Sequence, residues 1–560
     1  MSLRATNRRI VVLAAIFALL LGATLARAFW LQGVQGAKYA AMALAQHRET
    51  VTVPAGRGTI SDDAGDPLAI GERAITVYAD PRQVVRPQVA ALEIARTLHI
   101  DPNKIYPLLT DRSKGFVYVE RKADPAKAAA LERKHLPGLG FYPEEQRTYP
   151  QDRIASQVLG FAGTDNTGLE GLEKSLDPVL AGRPGSETIV KDPAGRALSI
   201  VSTRPEAPGK NVRLTIDSQI QAYAQQVLES TIARWGAQDA SAIVMDPYTG
   251  AVLAMAVAPG FNANRFATTR DDRHRNRAVT DTYEPGSTFK LVTISAALQD
   301  HVVTPRTSFV LAPTIQVADR VIHEAETRGT ERMTVAQIIA HSSNIGTITI
   351  AERLGAGRLA NWIDRWGFGH KTGIDFPGES PGFALPLDQW SGSTIGTVPI
   401  GQGISVTPLQ MARAYSAIAN GGRLVTPYLV QKIGGRPVHP DRGHRVVSRH
   451  VSKEMLSMLR GVVLEGTGTA AAIPGYTVAG KTGTAAKVDP GGHYSTTNYV
   501  ASFVGMVPAT RPRLVIMAMV DQPRGAIWGG VVAAPAFQQI ARFCLQHLEV
   551  PPDAPQTAQH

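Results

Sequence analysis

The residues best placed to do chemistry are Glu284-Pro285-Gly286-Ser287-Thr288-Phe289-Lys290, which run straight into the apolar stretch 291–298. Pro-Gly ahead of such a run predicts a helix that begins at or just before Ser287. Residues three apart share a helix face, so Lys290 can bring its amine to the Ser287 hydroxyl. A serine attacks a carbonyl only once a base takes its proton. Lysine is such a base only where burial or a neighbouring cation lowers its pKa. Backbone N–H groups at the helix start would meet a developing oxyanion. The chemistry indicated is acyl transfer through a serine ester. Ser-x-x-Lys alone is a frequent chance pattern, usually a solvated helix face, but two further segments extend it. His341-Ser342-Ser343-Asn344 follows the amphipathic stretch Val335–Ala340, which places Ser342 and Asn344 at a helix-to-helix junction. Lys481-Thr482-Gly483-Thr484 lies in an apolar strand, where Thr482 and Thr484 share a face. Gly483 leaves room there for a ligand or another backbone.

Other segments carry similar letters without the context. Lys371-Thr372-Gly373 comes only 27 positions after Asn344 and runs into the turn-rich Ile374-Asp375-Phe376-Pro377-Gly378-Glu379, so it is not the strand-borne motif. His341 beside Ser342 has no Asp placed by sequence to orient it and reads as a packing histidine. His323-Glu324-Ala325-Glu326-Thr327 begins like a metalloprotease motif but ends in Thr, so no zinc site is expected. The mixed-charge run 270–277 reads as solvated surface, with a minor substrate contact as its functional alternative. No phosphate-binding glycine loop and no metal-spaced His/Cys cluster occurs in the sequence.

These segments need a framework to hold them. A chain of 560 residues is too long for one ordinary core, and 44% apolar residues mark it as globular, so two or more domains are expected. The formal net charge of +11 suits an anionic environment, without choosing among nucleic acid, anionic lipid and phosphorylated lipid precursors. The single cysteine, Cys544, excludes an intrachain disulfide. It lies in the apolar pattern 534–548, which reads as a packed helix with Pro535 in its first turn.

Arg4, Arg8 and Arg9 precede residues 10–26, which hold no charge and a single hydroxyl, Thr24. A helix over 10–31 would cross the ~30 Å apolar layer of a membrane, with Arg27 snorkelling and Trp30 at the interface. The arginines favour a cytoplasmic tail, 1–9, and an exported body. Ala26-Arg27-Ala28 also resembles a signal-peptidase site, but the apolar surface continues past it, which favours a retained anchor.

Beyond the anchor, 33–48 reads as helix, 57–69 as strand, turn and strand, and 125–134 as helix. The polar stretch 204–211 reads as a linker. Segments 241–245 and 251–257 form a hairpin around Asp246-Pro247-Tyr248-Thr249-Gly250, and 476–485, 499–506 and 514–520 are three further strands. Strands at both ends of a largely helical region predict one antiparallel sheet flanked by helices, an α+β, multi-domain fold. Residues 549–560 read as a loose tail.

The three motifs, in this order, resemble the S-x-x-K, S-x-N and K-T-G set of penicillin-binding proteins and serine β-lactamases. Arg57-Gly58-Thr59-Ile60, Arg147-Thr148-Tyr149-Pro150, Gly168-Leu169-Glu170-Gly171-Leu172-Glu173 and Lys191-Asp192 resemble the pedestal of class B penicillin-binding proteins. Gly401-Gln402-Gly403-Ile404-Ser405-Val406-Thr407-Pro408-Leu409-Gln410 resembles their catalytic domain. The resemblance covers nearly the whole chain and is nearest to the division-specific peptidoglycan D,D-transpeptidases. It implies a pedestal of the dimerisation-domain type over 32–203, the linker 204–211 and a transpeptidase domain over 212–548.

By that resemblance, Ser287 attacks the penultimate D-Ala carbonyl of a stem peptide and releases terminal D-Ala. Lys290 is the base, and Ser342 and Asn344 relay protons and bind the substrate amide. Lys481 supplies positive charge, and Thr482, Gly483 and Thr484 form the strand that holds the terminal carboxylate. The N–H groups of Ser287 and Thr484 form the oxyanion hole. No cofactor and no metal is implied. The implied partners are stem peptides, β-lactams, membrane lipid, a membrane glycosyltransferase of the FtsW type and other divisome proteins, with no nucleic acid.

Glu284, where elongation relatives more often have a second proline, and the Trp-free strand 498–503 favour the division type over an elongation transpeptidase. The long pedestal and anchor stand against a D,D-carboxypeptidase or β-lactamase. A single membrane segment stands against a β-lactam-sensing receptor.

Overall fold

The uncharged N-terminal run forms one helix, α1 (Leu3–Phe29), which passes through a π-helical turn at Trp30–Val34 into a further helix, Gly36–His47. The stretch Asn7–Val34 contains an 18-residue window with a mean hydropathy of 2.4 and is the one helix, among the described residues, long and apolar enough to cross a membrane. The computed structural model describes residues 3–191, 197–489 and 491–554. Asp192 of the Lys191-Asp192 pair and the end of the expected tail, 555–560, lie outside the described residues, as do the first two residues of the expected cytoplasmic tail.

Packing divides the chain into two units, Met1–Gly56 with Gly182–Pro208, and Arg57–Ala181 with Gly209–His560. In the first, strand Gly185–Lys191 pairs antiparallel with both Arg48–Val53 and Ala197–Arg204. The polar stretch 204–211 is tied down: Arg204 ends a strand, and Ala207 exchanges backbone hydrogen bonds of 2.8 and 2.9 Å with Arg183. A polar composition does not stop backbone groups from pairing.

In the second unit, the long strand Pro67–Ala79 pairs with Val117–Ala123 and Leu139–Thr148, and strand Ile60–Ser61 lies parallel to Val212–Leu214. Three of the four segments that carry the pedestal resemblance, those at Arg57, Arg147 and Glu173, converge on one buried ion cluster. Arg57 Nη2 lies 2.6 Å from Glu173 Oε2, Arg57 Nη1 lies 2.7 Å from Asp177, and Arg147 Nε lies 2.6 Å from Glu173 Oε1. Arg147 Nη1 also donates to the Gly58 carbonyl at 2.9 Å.

The rest of this unit is built on a five-stranded antiparallel sheet of β1 (Asp239–Met245), β2 (Val252–Ala258), β3 (Ala479–Val488), β4 (Tyr494–Val507) and β5 (Leu514–Asp521), in the order β2-β1-β5-β4-β3. All seven residues of β1 and all eight of β5 are buried. Helices therefore cover both faces, and the strands read as continuous apolar runs. Helix Ser218–Trp235 starts where Asp217 accepts from the N–H groups of Gln219 and Ile220. The expected turn of helix at Ser287 is a 3-10 turn, Gly286–Phe289, which leads into α2 (Lys290–Gln299). Helix α3 (Asn344–Leu354) begins two residues after Ser342.

Two expectations change here. The C-terminal helix α4 spans Gly529–His547, starting well before the expected 534 and carrying Pro535 inside it, not in its first turn. Contact with the sheet overrides the proline signal: a Cβ at Gly529 would lie 2.3 Å from the carbonyl oxygens of Gly483 and Ser502, so only glycine lets the helix start there. Residues after the helix are also held. Asp553 accepts from the Thr477 N–H at 2.7 Å and the Thr510 hydroxyl at 2.5 Å, so the expected loose tail is anchored at least to Ala554.

Candidate active site

β3 is an edge strand, and the 3-10 turn that carries Ser287 packs against it. Gly286 makes this approach possible: its φ is 52°, and a Cβ there would lie 2.9 Å from the Thr484 carbonyl. Gly483 does the same from the strand, since a Cβ would lie 2.9 Å from the Pro285 carbonyl. The room that Gly483 leaves is thus filled by backbone leading into the Ser287 turn. From behind, the Gly286 N–H donates to the Gly401 carbonyl at 3.1 Å, and the Gly403 N–H donates to Glu284 Oε1 at 2.8 Å. The Gly401–Gly403 signature therefore braces that turn.

Lys290 is fully buried, and its Nζ lies 2.6 Å from the Ser342 carbonyl, 2.8 Å from Asn344 Oδ1 and 3.3 Å from Ser342 Oγ. Ser342 reaches the lysine with both oxygens from a left-handed backbone, φ 59°, a conformation that costs a non-glycine residue on the order of 1 kcal/mol or more. Burial, then the nearby Lys481 and Arg328, push Lys290 well below the ordinary lysine range, while Glu324 pulls the other way. A neutral amine keeps two N–H bonds, which suit the two short contacts to carbonyl oxygens, and leaves a lone pair to take a proton from a hydroxyl.

Lys481 is also fully buried. Its Nζ lies 3.2 Å from Thr482 Oγ1 and 3.4 Å from Thr467 Oγ1, and burial brings its pKa down to about 7. The standing positive charge expected there is therefore poised: without an anion it is readily lost, and an arriving carboxylate would restore it. Thr482 Oγ1 and Thr467 Oγ1 are 2.7 Å apart, and Thr484 Oγ1 accepts from the Gly529 N–H, at the start of α4, at 3.0 Å. Ser287, Ser342, Asn344, Thr482 and Thr484 line one cleft of about 790 Å³, with Trp528 on its wall. The two lysines lie beneath it.

Three contributors were not singled out from the sequence. Thr467 sits in Gly466-Thr467-Gly468-Thr469, a Gly-Thr alternation after a helix that was a usable signal. The start of α4 was hidden by Pro535. Glu324, seen only as part of a failed metal motif, hydrogen-bonds to Ser343 and to the Asn344 backbone. His341 is placed differently from expected: it is half-buried on the cleft wall, not packed in the core, and its ring makes no hydrogen bond among the described residues. Thr372 of the other Lys-Thr-Gly is buried in a loop, where its N–H and hydroxyl donate to Glu379 Oε1 at 2.7 and 2.5 Å. Buried Cys544 has its thiol pKa pushed up by that burial and plays no part in the cleft.

A serine turn beside an edge strand, over a lysine with a depressed pKa, is built for acyl transfer through serine, the chemistry of the penicillin-interacting D,D-peptidases. Residues 240–542 match the penicillin-binding protein transpeptidase domain, and residues 52–214 match the penicillin-binding protein dimerisation domain. The chain is 32% identical to peptidoglycan D,D-transpeptidase FtsI of Escherichia coli K12, over 98% of this chain and 93% of that protein. It is 35% identical to stage V sporulation protein D of Bacillus subtilis, over 93% of this chain and 83% of that one. The crystal structure of penicillin-binding protein 3 from Mycobacterium tuberculosis complexed with aztreonam superposes with a TM-score of 0.71 at 32% identity, covering 91% of this chain and all of that one. The chain belongs to the class B penicillin-binding proteins, the peptidoglycan D,D-transpeptidases.

Proposed function

We propose that the chain cross-links stem peptides through an acyl-enzyme on Ser287, at the division septum. The observation that carries this is Lys290, three residues after Ser287 and stripped of water, with its N–H bonds directed to Ser342 and Asn344. Lys290 takes the Ser287 proton as Oγ bonds to the penultimate D-Ala carbonyl carbon. The N–H groups of Ser287 and Thr484 receive the oxyanion. The C–N bond then breaks, the leaving D-Ala amine takes a proton by way of Ser342, and Asn344 holds the substrate amide. Lys481, Thr482 and Thr484 bind the terminal carboxylate. An amine of a second stem peptide attacks the ester, gives up its proton and frees Ser287. A β-lactam would enter the same step and stay as a stable ester; that β-lactams bind is supported by the aztreonam complex of the Mycobacterium tuberculosis relative.

This reading includes a tail at 1–9, a membrane anchor at 10–31, the pedestal and transpeptidase domains at 32–203 and 212–548, and a body outside the cytoplasm. Glycan strands then come from a membrane glycosyltransferase of the FtsW type. The identity with FtsI and the acidic Glu284 support the septal role.

Incubation with a penicillin should add one adduct mass, mapping to the Ser287 peptide, and Ser287→Ala should remove it while leaving thermal unfolding unchanged. An adduct that persists in the variant, or maps to Ser342, sinks the assignment. Depletion should give filamentous cells, with a tagged copy at midcell. Swollen round cells with side-wall signal would assign the protein to elongation.

A further inference from the structure

Glu324 belongs to none of the three motifs, yet it reaches two residues of the second one. It follows directly on a hairpin, Thr314–Val317 with Arg320–His323, and lies half-buried at the cleft wall. Its Oε1 accepts from the Ser343 hydroxyl at 2.5 Å and the Ile345 N–H at 3.3 Å, and its Oε2 accepts from the Asn344 N–H at 2.7 Å. Ser343 Oγ in turn accepts from the Gly346 N–H at 2.9 Å. Glu324 and Ser343 thereby satisfy the first three N–H groups of α3, which would otherwise be orphaned. The neighbouring His323 carbonyl accepts from Asn344 Nδ2 at 3.3 Å, so Oδ1 is the atom left to face Lys290.

We propose that Glu324 is a positioning residue for acylation: from the end of the hairpin, it holds the Ser342–Asn344 turn in the one arrangement that grips Lys290. This rests on the reading that Lys290 is the base for Ser287. A carboxylate with donors on both oxygens is a strong clamp, because charge-assisted hydrogen bonds exceed neutral ones. Glu324 also has an electrostatic role that a neutral helix cap would lack. The charged groups bearing on Lys290 are Lys481 from the strand, Arg328 from the loop after the hairpin, and Glu324; the two cations disfavour its ammonium form and Glu324 favours it. Arg328 is itself tied to the His341 carbonyl at 2.8 Å, with Glu326 and Glu331 alongside. Removing the Glu324 charge should therefore make Lys290 lose its proton more easily, and the acidic limb of the acylation profile should move to lower pH.

The test uses the full chain and a fluorescent penicillin. Second-order acylation rates of parent, Glu324→Gln and Glu324→Asp are followed across pH, with thermal unfolding alongside. Glu324→Gln keeps the shape but turns an amide N–H toward the donors. It should slow acylation about tenfold or more at the plateau and shift the acidic limb downward, with the adduct still on Ser287. Glu324→Asp keeps the charge and should restore the limb and part of the rate. Parental rate and limb in Glu324→Gln overturn the proposal. A slower rate with an unmoved limb also overturns it, by reducing Glu324 to a helix cap. If Glu324→Gln does not fold, Glu324→Asp decides, and a parental rate there overturns it. A parent that takes no label at Ser287 overturns both this proposal and the reading beneath it. A labelled parent matched by Glu324→Gln overturns this one alone.

Discussion

Arg57 and Arg147 in the pedestal part, and Lys290 and Lys481 in the catalytic part, are four cations taken out of water within one compact unit. The arginines meet Glu173 and Asp177 at 2.6–2.7 Å. The lysines are hydrogen-bonded to carbonyl and hydroxyl oxygens. Burial works against the Arg57 charge, yet Glu173 and Asp177 more than offset it and raise its pKa. At the lysines burial wins, lowering Lys290 strongly and Lys481 to about 7. The choice of side chain fits each task. A guanidinium cannot be discharged in a protein and must be paired, so it serves as a staple. An ammonium can shed its proton, so a buried lysine without a full counter-charge becomes a base.

Unpairing the staple should give the largest effect. Glu173→Ala leaves two guanidinium groups buried without their shared carboxylate and should cost about 3–5 kcal/mol, read as a fall in the urea midpoint. A change below about 1 kcal/mol would mean that water enters and solvates the arginines, removing the contrast.

Lys481→Ala should do the reverse, slowing acylation about 10²- to 10³-fold while the urea midpoint at pH 7 holds or rises. Lys481→Arg should recover only part of the rate. The pH dependence sharpens this. Lys481 has a folded pKa of about 7 against 10.5 for the free side chain, so between these values the unfolded chain binds more protons. Its contribution to stability must therefore increase as pH rises through that window, by up to about 1.4 kcal/mol per pH unit. Parent minus Lys481→Met, in urea titrations at pH 7 and pH 9, should show that gain. A flat difference would mean that the lysine stays charged.

The smallest effect concerns the other Lys-Thr-Gly. Thr372→Val removes a hydroxyl that donates to Glu379 and should cost about 1 kcal/mol with no change in acylation rate. Slower acylation in that variant would tie the loop to the cleft.

Much of the site was legible because its pieces are local. Ser287 and Lys290 are one helical turn apart, Thr482 and Thr484 alternate on one strand, and the sheet strands are continuous apolar runs bounded by turns. What was missed came from distance. Glu324 reaches Asn344 from twenty positions upstream, and the start of α4 meets the Thr484 hydroxyl across 45 positions.

The amino-acid sequence by itself determined the candidate reacting groups, their order, and the α+β pattern that carries them, since the local pieces depend on periods of two to four residues. Tertiary structure alone decided that both lysines lie buried with depressed pKa values. It also decided that the first turn of α3 is held by a carboxylate from a remote hairpin. A pKa or a cap depends on the distance and burial of segments that meet only on folding, and side-chain letters do not encode those quantities locally.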